Sequence, residues 1–166
     1  MKQKIHPEPR RRTVIGVTGL AVNKQGQFLL TQRHQPDTPA WHNKWNIPGG
    51  GVEVGEPPED ALIRECWEEL RVKPTILLAQ PIPVNIVWYA ADTGYDHDFH
   101  LLLLCYIVDI GDQEIDLTHD PEEETSDYRW YTEDELAEVD GLPQTVETVK
   151  KALNLVKEHD ILSGLC

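Results

Sequence analysis

Cysteine is scarce in this chain of 166 residues, which contains only Cys66, Cys105 and Cys166. Their number is odd and no two form a CxxC pair, which argues against a disulfide framework and against a structural zinc site. This cysteine usage is typical of a reducing compartment. We therefore expect a cytoplasmic protein.

Basic residues are also few, since 15 Lys and Arg stand against 29 Asp and Glu, a net charge of −14. The chain lacks the clustered cations that grip a nucleic-acid backbone, so we expect no nucleic-acid partner. A nucleotide ligand stays compatible with this charge, because a bound cation can invert the local field. Most of the acid follows residue 72 and is expected to be solvated surface.

Long apolar runs are absent as well, and we expect no membrane association. The longest uncharged stretch, residues 74–91, is interrupted by three prolines, Gln80 and Asn85, and its β-branched residues favour strands. No apolar segment follows the basic start MKQKIHPEPRRR, so no secretory signal is expected. The length predicts one domain at 13–160, with a basic N-terminal segment at 1–12 and a C-terminal tail at 161–166.

Apolar periodicity and turn residues predict the secondary structure. Strands are predicted at 13–22, 27–33, 75–78, 84–90, 101–108 and 128–131, and helices at 57–70, 133–139 and 144–157. A turn at 23–26 joins the first two strands, and a long acidic connection fills 109–127. The continuously apolar strand 101–108 is predicted to be buried on both faces. Strands interleaved with two main helices predict an α+β fold, an α/β/α sandwich with a mixed sheet.

The most informative segment is ALIRECWEEL, residues 61–70. On a helix, Glu65, Glu68 and Glu69 share one face because their spacings are i, i+3 and i+4. The apolar residues form the opposite arc: Leu62, Ile63, Cys66, Trp67 and Leu70. Three clustered carboxylates repel each other, and the natural counter-charge is a hard divalent cation, Mg²⁺ or alternatively Mn²⁺. An ordinary solvated helix face is the competing interpretation.

The residues before this helix make the pattern specific. Gly49, Gly50 and Gly51 allow a ligand to approach the backbone closely. Gly50, five residues, Glu56, seven residues and then RECWEELRV, residues 64–72, resemble the Nudix box, the signature of Nudix hydrolases. The box spans residues 50–72 and departs from the signature only at Arg71, where glycine is usual. The segments 45–50 and 130–136 and a hairpin ending at Arg33 also resemble the family, so the resemblance covers most of the chain.

The resemblance implies the Nudix fold and a Mg²⁺-dependent hydrolase. Such an enzyme cleaves the pyrophosphate bond of a nucleoside diphosphate linked to another moiety, using water as the nucleophile. Candidate substrates are small nucleotides: a nucleoside triphosphate, a nucleotide sugar or a dinucleoside polyphosphate. A Nudix-fold nucleotide-binding or regulatory module without turnover is the alternative, although the intact acids argue against it. The family includes monomers and dimers, so a homodimer stays open.

Metal-binding and supporting roles follow from the resemblance position by position. Glu65, Glu68 and Glu69 would bind metal, and the carbonyl of Gly50 would be a further ligand. Arg64 would orient these acids. Glu56 would pair with Arg64 and fix the loop against the helix.

Substrate contacts and the catalytic base are assigned in the same way. Arg33, Asn46, Gly49 and Gly50 are expected to contact substrate, with a strand-end salt bridge as the alternative for Arg33. The base is either Glu65, which we favour, or an acid in the run Glu122, Glu123 and Glu124, of which Glu123 is taken as the representative. Three aromatic residues are expected to pack rather than bind: Trp41, Trp88 and Tyr89.

Arg71 stands where a left-handed glycine usually ends the helix. Arginine adopts that conformation only at a cost of about 1 kcal/mol. Because Lys73-Pro74 supplies an independent stop, we expect the helix to run slightly past Arg71, which would then be unstrained.

Overall fold

The computed structural model describes residues 11–165, so the predicted N-terminal segment lies outside them except for its last two residues. Eight strands and three α-helices follow in order: β1 (Arg11–Ala21), β2 (Phe28–Arg33), β3 (Trp45–Asn46), β4 (Gly49–Gly51), α1 (Pro58–Leu70), β5 (Thr75–Ile76), β6 (Ile82–Trp88), α2 (Ala90–Thr93), β7 (Asp98–Asp109), β8 (Thr125–Tyr131) and α3 (Thr145–Glu158). Two 3-10 helices, Glu133–Glu138 and Ile161–Gly164, flank α3. No helix among residues 11–165 is long and apolar enough to cross a bilayer.

A mixed five-stranded sheet forms the centre of the fold. Its strands run in the order β4-β1-β7-β5, and β6 also pairs with β7. β1 and β7 are parallel along the whole of β1, whereas the other pairs in this sheet are antiparallel. A second, three-stranded antiparallel sheet has the order β3-β2-β8.

Helices cover both faces of the central sheet, which confirms the predicted α/β/α sandwich. On one side Leu62 and Cys66 of α1 pack with Val17 and Tyr106 of the sheet. On the other side α3 packs against the opposite face, where its apolar stripe joins Leu20 and Ile107. Helix α1 is therefore held rigidly against β1 and β4, which makes it a stable platform for side chains on its edge.

The predicted hairpin at 13–33 is wrong in its pairing. The turn is present, with the Gly26 N–H donating to the Asn23 carbonyl at 2.9 Å. β1 and β2, however, enter different sheets, and in the described chain their ladder pairing is limited to a bridge between Val22 and Phe28. The buried face of each strand finds a different partner, so the chain bends at the turn instead of folding back in register.

The predicted bounds of α1 are confirmed, but the expectation that the helix continues past Arg71 is wrong, and the buried face differs from expectation. Arg71 ends the helix in the left-handed conformation, at φ 58° and ψ 27°, so the expectation of an unstrained Arg71 is wrong. Ile63 and Trp67 are 39% and 43% exposed, whereas Glu69 is only 8% exposed. The helix is therefore turned so that part of its acidic face, not the whole apolar arc, lies against the sheet.

Three other expectations also need correction. β7 is buried on both faces only from Cys105 to Val108, and Leu102 is 37% exposed because the α1 side of the core reaches only as far as Leu104. Tyr89 lies at the start of α2 and is exposed rather than packed in the core. Within the predicted tail, Leu162 packs against the α3 side of the core.

The connection between β7 and β8, residues 110–124, is called the acidic loop below. It begins beside the end of α1, where the Asp116 N–H donates to the Leu70 carbonyl at 3.1 Å. It ends beside the end of β2, where the His34 N–H donates to the Glu124 carbonyl. The fold thus brings the acidic loop, α1 and the glycine strand β4 together.

Candidate active site

The glycine strand β4 runs antiparallel to β1 and faces α1 at close range. Gly49 has φ 143°, and a Cβ there would lie 2.1 Å from the Val17 carbonyl oxygen, so no larger residue fits without a backbone shift. The Gly49 N–H donates to Glu69 Oε2 at 2.9 Å. This bond ties the strand to the acidic face of the helix.

Arg64 connects the helix to the loop that precedes it through several side-chain hydrogen bonds. Its Nε and Nη2 donate to the two carboxylate oxygens of Glu56, at 2.9 and 3.0 Å. Its Nη1 donates to Glu65 at 2.7 Å and to Glu68 at 3.1 Å. Nη2 also donates to the Gly51 carbonyl at 2.9 Å. The Arg64–Glu56 ion pair is present as predicted, and it holds the pKa of Glu56 down at about 2.

Glu65 lies directly against Gly50. A Cβ on Gly50 would meet Glu65 Oε2 at 2.3 Å, so the carboxylate occupies the space that a side chain would need. Burial raises the pKa of Glu65, Arg64 opposes this rise, and the charges of Glu68 and Glu122 add to it. Because Gly50 has no side chain, the Glu65 carboxylate can lie against strand β4.

Glu69 is the most buried acid of the helix. Burial raises its pKa to about 8, against the opposing effects of the Gly49 N–H and the Arg33 charge, while Glu65 and Asp120 add to the rise. An isolated carboxylate so placed is costly to ionise, and a bound cation would relieve that cost.

The geometry does not support the Gly50 carbonyl as a metal ligand. Gly50 pairs with Val17, and the bonds from Gly19 to Pro48 and from Val52 to Ile15 mark this as a hydrogen-bonded pair of the ladder. The Gly50 carbonyl therefore points at β1. The backbone groups that face α1 belong to the residues on either side of Gly50: the Gly49 N–H donates to Glu69, and the Gly51 carbonyl accepts from Arg64.

The acidic loop presents its acids in different directions. Glu124 pairs with Arg33 at 2.6 Å, and Glu122 is the loop acid whose charge reaches Glu65. Glu122 and Glu123 are both exposed, Glu123 with φ 52°, and within residues 11–165 no side-chain hydrogen bond joins either to the helix acids. Glu122 is therefore taken below as the loop candidate in place of Glu123, and the role of each of these acids stays a prediction.

A largely apolar cavity of about 220 Å³ lies beside the glycine strand. Arg33 and the strand Gly49–Gly51 line one end of it, and Val84, Ile86 and Trp88 of β6 line its apolar wall. The salt bridge that was the alternative for Arg33 is present, with Glu124 as its partner; Arg33 also lines the cavity, and its contact with substrate stays a prediction.

Asn46 also lines the cavity but is already engaged. Its amide donates to the Ile47 carbonyl at 3.1 Å, and its Oδ1 accepts a 3.4 Å bond from Thr31. These contacts hold the chain as it enters the glycine strand. Any contact with a ligand would therefore use the remaining hydrogen-bonding capacity of the amide.

The helix acids do not form a ready-made metal cage. Within residues 11–165, no three acidic, histidine or cysteine side chains converge on one point. The reason is local, because Arg64 holds Glu65 and Glu68 while Gly49 holds Glu69. The donor set is nevertheless suited to a hard cation, since all three groups are carboxylates at i, i+3 and i+4.

A family model for the NUDIX domain matches residues 12–153. The chain belongs to the Nudix family. One relative, the RNA pyrophosphohydrolase of Wolbachia pipientis subsp. Culex pipiens, is 26% identical to this Nudix chain over 159 residues, 90% of this chain and 91% of the relative. The RNA pyrophosphohydrolase of Roseobacter denitrificans is 38% identical over 85 residues, covering 51% of this chain and 48% of the relative. The match thus spans about half of the Roseobacter protein.

Solved structures share the fold of this Nudix domain. The MutT protein of Methanosarcina mazei Go1 superposes with a TM-score of 0.61 at 20% identity, covering 89% of this chain and 97% of that one. The MutT NUDIX hydrolase of Burkholderia pseudomallei gives a TM-score of 0.58 at 24% identity, covering 83% and 98%. At these identities the likeness shows the fold alone.

Sequence reasoning missed two residues of the Nudix site. Asp120 is buried in the acidic loop and its charge acts on Glu69, but a single Asp in an acidic run carries no distinguishing pattern. Trp88 packs as expected, since it meets Trp41 edge to face with ring centroids 5.6 Å apart, but its place in the cavity wall was not predicted. Its alternation with Val84 and Ile86 on β6 was the available signal.

Proposed function

We propose that this Nudix domain is a hydrolase that cleaves the pyrophosphate bond of a nucleotide, with Mg²⁺ or Mn²⁺ as its cation. The observation that carries the proposal is the packing of Glu65 and Glu69 against the glycine strand. Burial raises the pKa of both carboxylates, the charge of Glu65 adds to the rise at Glu69, and such an arrangement is stable when a cation neutralises it.

The cation would be held by Glu65, Glu68 and Glu69, after the side chains turn from their present partners. When bound, it supplies charge neutralisation on the phosphate oxygens and lowers the pKa of water. Arg64 supports this site because its guanidinium fixes the orientation of Glu65 and Glu68. Arg33 faces the cavity and supplies a positive group for a substrate phosphate.

The base that removes the proton from the attacking water is proposed to be Glu65. Its carboxylate is placed by Gly50 and by Arg64, and burial raises its pKa towards the range useful for a base. Glu122 is the competing candidate because it is the loop acid whose charge adds to the rise in the pKa of Glu65. Losing the base should lower kcat by about 10²–10⁴-fold.

Three variants separate the candidates for the base. We expect Glu65→Gln to lower kcat by that range at saturating Mg²⁺, and Glu122→Gln to lower it much less. Glu123→Gln is the matched control, because Glu123 lies in the same loop without contacting the helix acids. If only Glu122→Gln lowered kcat by about 10²–10⁴-fold, with unchanged metal affinity, Glu122 in the loop would be assigned as the base.

The substrate class is proposed to be a small nucleotide rather than a long RNA. The net charge of −14 and the acidic loop beside the site disfavour a nucleic-acid backbone. The 5′ end of an RNA is the second candidate, because two relatives are named RNA pyrophosphohydrolase. All proposed site residues come from one chain, so the proposal needs no second copy. A cytoplasmic location is proposed because Cys66 and Cys105 are buried and unpaired.

The test is a substrate panel with Mg²⁺ in which both products of each cleavage are identified. The panel contains a nucleoside triphosphate, a nucleotide sugar, a dinucleoside polyphosphate and a 5′-triphosphorylated RNA oligonucleotide. Cleavage at a pyrophosphate bond of one of the first three supports the proposal. Cleavage of the RNA alone would select the second candidate. Binding of nucleotides without any cleavage would instead favour a binding or regulatory module.

A further inference from the structure

Arg71 is a strained residue at the end of α1. Its φ of 58° places a side-chain-bearing residue in the left-handed region, at a cost of about 1 kcal/mol. Its N–H still caps the helix by donating to the Trp67 carbonyl at 3.1 Å, and the Val72 N–H reaches the Cys66 carbonyl. Glycine would make the same backbone bonds without strain. An arginine at this strained position therefore points to a role for its side chain.

The Arg71 side chain contacts the acidic loop. Its Nη2 donates to the His119 carbonyl at 2.9 Å, and its guanidinium lies 5.4 Å from the ring centre of Trp67. A second bond joins the same two elements, from the Asp116 N–H to the Leu70 carbonyl. The acidic loop is thus tied to the end of α1 on both sides of residues 117–118.

The residue after His119 organises the remainder of the loop. Asp120 is buried, its Oδ1 accepts the Glu122 N–H at 3.1 Å and its Oδ2 accepts the Thr125 N–H at 2.9 Å. Glu124 then pairs with Arg33 at the rim of the cavity. The position of Asp120 therefore determines where both Glu122 and Glu124 lie.

We propose that Arg71 is a positioning residue that anchors the acidic loop to α1 and so fixes the turn around Asp120 that carries Glu122. The inference rests on the proposed function for its catalytic consequence, but the anchor itself does not depend on turnover. The strain at Arg71 is offset by the bond to His119 and by the cation–π contact with Trp67. The arginine that stands in place of the usual glycine of the Nudix box thus holds the acidic loop.

The first test measures amide hydrogen exchange in the metal-free protein. Arg71→Gly removes the anchor and relieves the strain, so exchange at the Glu122 and Thr125 amides should accelerate about tenfold, the effect of losing one hydrogen bond. The melting temperature should stay level. Lys73→Ala is the matched control, because Lys73 also lies over Trp67, at 5.3 Å, but its side chain has no bond to the loop. Unchanged loop exchange in Arg71→Gly, or equal acceleration in Lys73→Ala, would overturn the anchor.

The second test separates positioning from simple loop stability. Arg71→Gly and Glu122→Gln are compared singly and together for kcat, KM and the rise in melting temperature caused by Mg²⁺. We expect the two changes to be non-additive, because part of the effect of Arg71→Gly passes through Glu122. Full additivity in both kcat and the Mg²⁺ response would overturn the positioning role. A wild type that responds to Mg²⁺ without turnover would defeat the proposed function, and the Mg²⁺ response would still decide the role of Arg71.

Discussion

Replacing Glu69 by glutamine removes the charge of this side chain and nearly keeps its shape, so the variant isolates the electrostatic cost of burying the carboxylate. Glutamine keeps an oxygen that can accept the Gly49 N–H, and it removes the charge that burial disfavours. In the folded protein the pKa of Glu69 rises from 4.5 to about 8. One pKa unit corresponds to about 1.4 kcal/mol, so the full interval bounds the penalty of the ionised side chain at about 5 kcal/mol.

The pH dependence has a definite sign. Below pH 4.5 the side chain of Glu69 is protonated in both the folded and the unfolded states, so no penalty exists. Between pH 4.5 and about 8 the folded state holds the proton more tightly, and the free energy of unfolding falls as pH rises. Above pH 8 the loss is complete. The metal-free Glu69→Gln variant should therefore match the wild type at pH 4 and exceed it at pH 8.5, by at most about 5 kcal/mol.

Urea denaturation at several pH values in the presence of EDTA measures this difference. Glu138→Gln serves as the control, since it removes an exposed carboxylate from the 3-10 helix Glu133–Glu138. Added Mg²⁺ should then stabilise the wild type, by about 2.7 kcal/mol at one hundred times its dissociation constant, and stabilise Glu69→Gln much less. Equal stability of Glu69→Gln and wild type from pH 4 to pH 8.5 would refute the burial argument. An equal Mg²⁺ response would remove Glu69 from the metal site.

Three further changes test the surroundings of this acid. Gly50→Ala places a Cβ 2.3 Å from the Glu65 carboxylate, which lies at the far end of a flexible side chain and can move away. The variant should therefore fold with a loss of about 1 kcal/mol in the free energy of unfolding. It should lose most of the rise in melting temperature that Mg²⁺ causes in the wild type. The guanidinium of Arg64 donates hydrogen bonds to Glu56, Glu65 and Glu68, and Arg64→Lys replaces it by a single ammonium group. We expect kcat to fall at least about tenfold, and thermal denaturation should show a loss of about 1–2 kcal/mol in the free energy of unfolding. Glu56 has a folded-state pKa lowered to about 2, so its stabilising effect is present above pH 4.5 and is lost as pH falls towards 2; Glu56→Gln should flatten this acid limb in a pH series of melting temperatures.

Much of the site was predictable because its residues lie close together in the sequence. The spacing of Glu65, Glu68 and Glu69 fixes their shared helix face, and the prolines before the helix fix its start. The ion pair between Arg64 and Glu56 also follows from the box pattern. These features depend on local geometry, which the sequence records directly.

The remaining features depend on contacts between distant segments. The burial of Glu69 follows from the approach of β4 to α1, and helix periodicity alone cannot reveal it. The choice of Glu122 over Glu123 depends on the turn built by Asp120. Strand pairing has the same limit, because nothing in the turn at 23–26 tells whether β1 and β2 share a sheet.

Arg71 shows how a local rule can be overridden by a tertiary contact. The proline that follows it offered an independent helix stop, so an unstrained arginine was expected. The structure ends the helix at Leu70 and accepts the left-handed conformation, with the Arg71 guanidinium on the His119 carbonyl. The partner lies 48 residues further along the chain, beyond the reach of any capping rule.

The most direct test of the account compares wild type with Glu65→Gln on the nucleotide panel at saturating Mg²⁺. Quantifying both products by phosphorus NMR identifies the bond that breaks. We predict Mg²⁺-dependent cleavage of a pyrophosphate bond by the wild type and a loss of about 10²–10⁴-fold in kcat for the variant. Cleavage by Glu65→Gln at the wild-type rate would contradict the account, as would a metal-saturated wild type that binds these nucleotides and cleaves none of them.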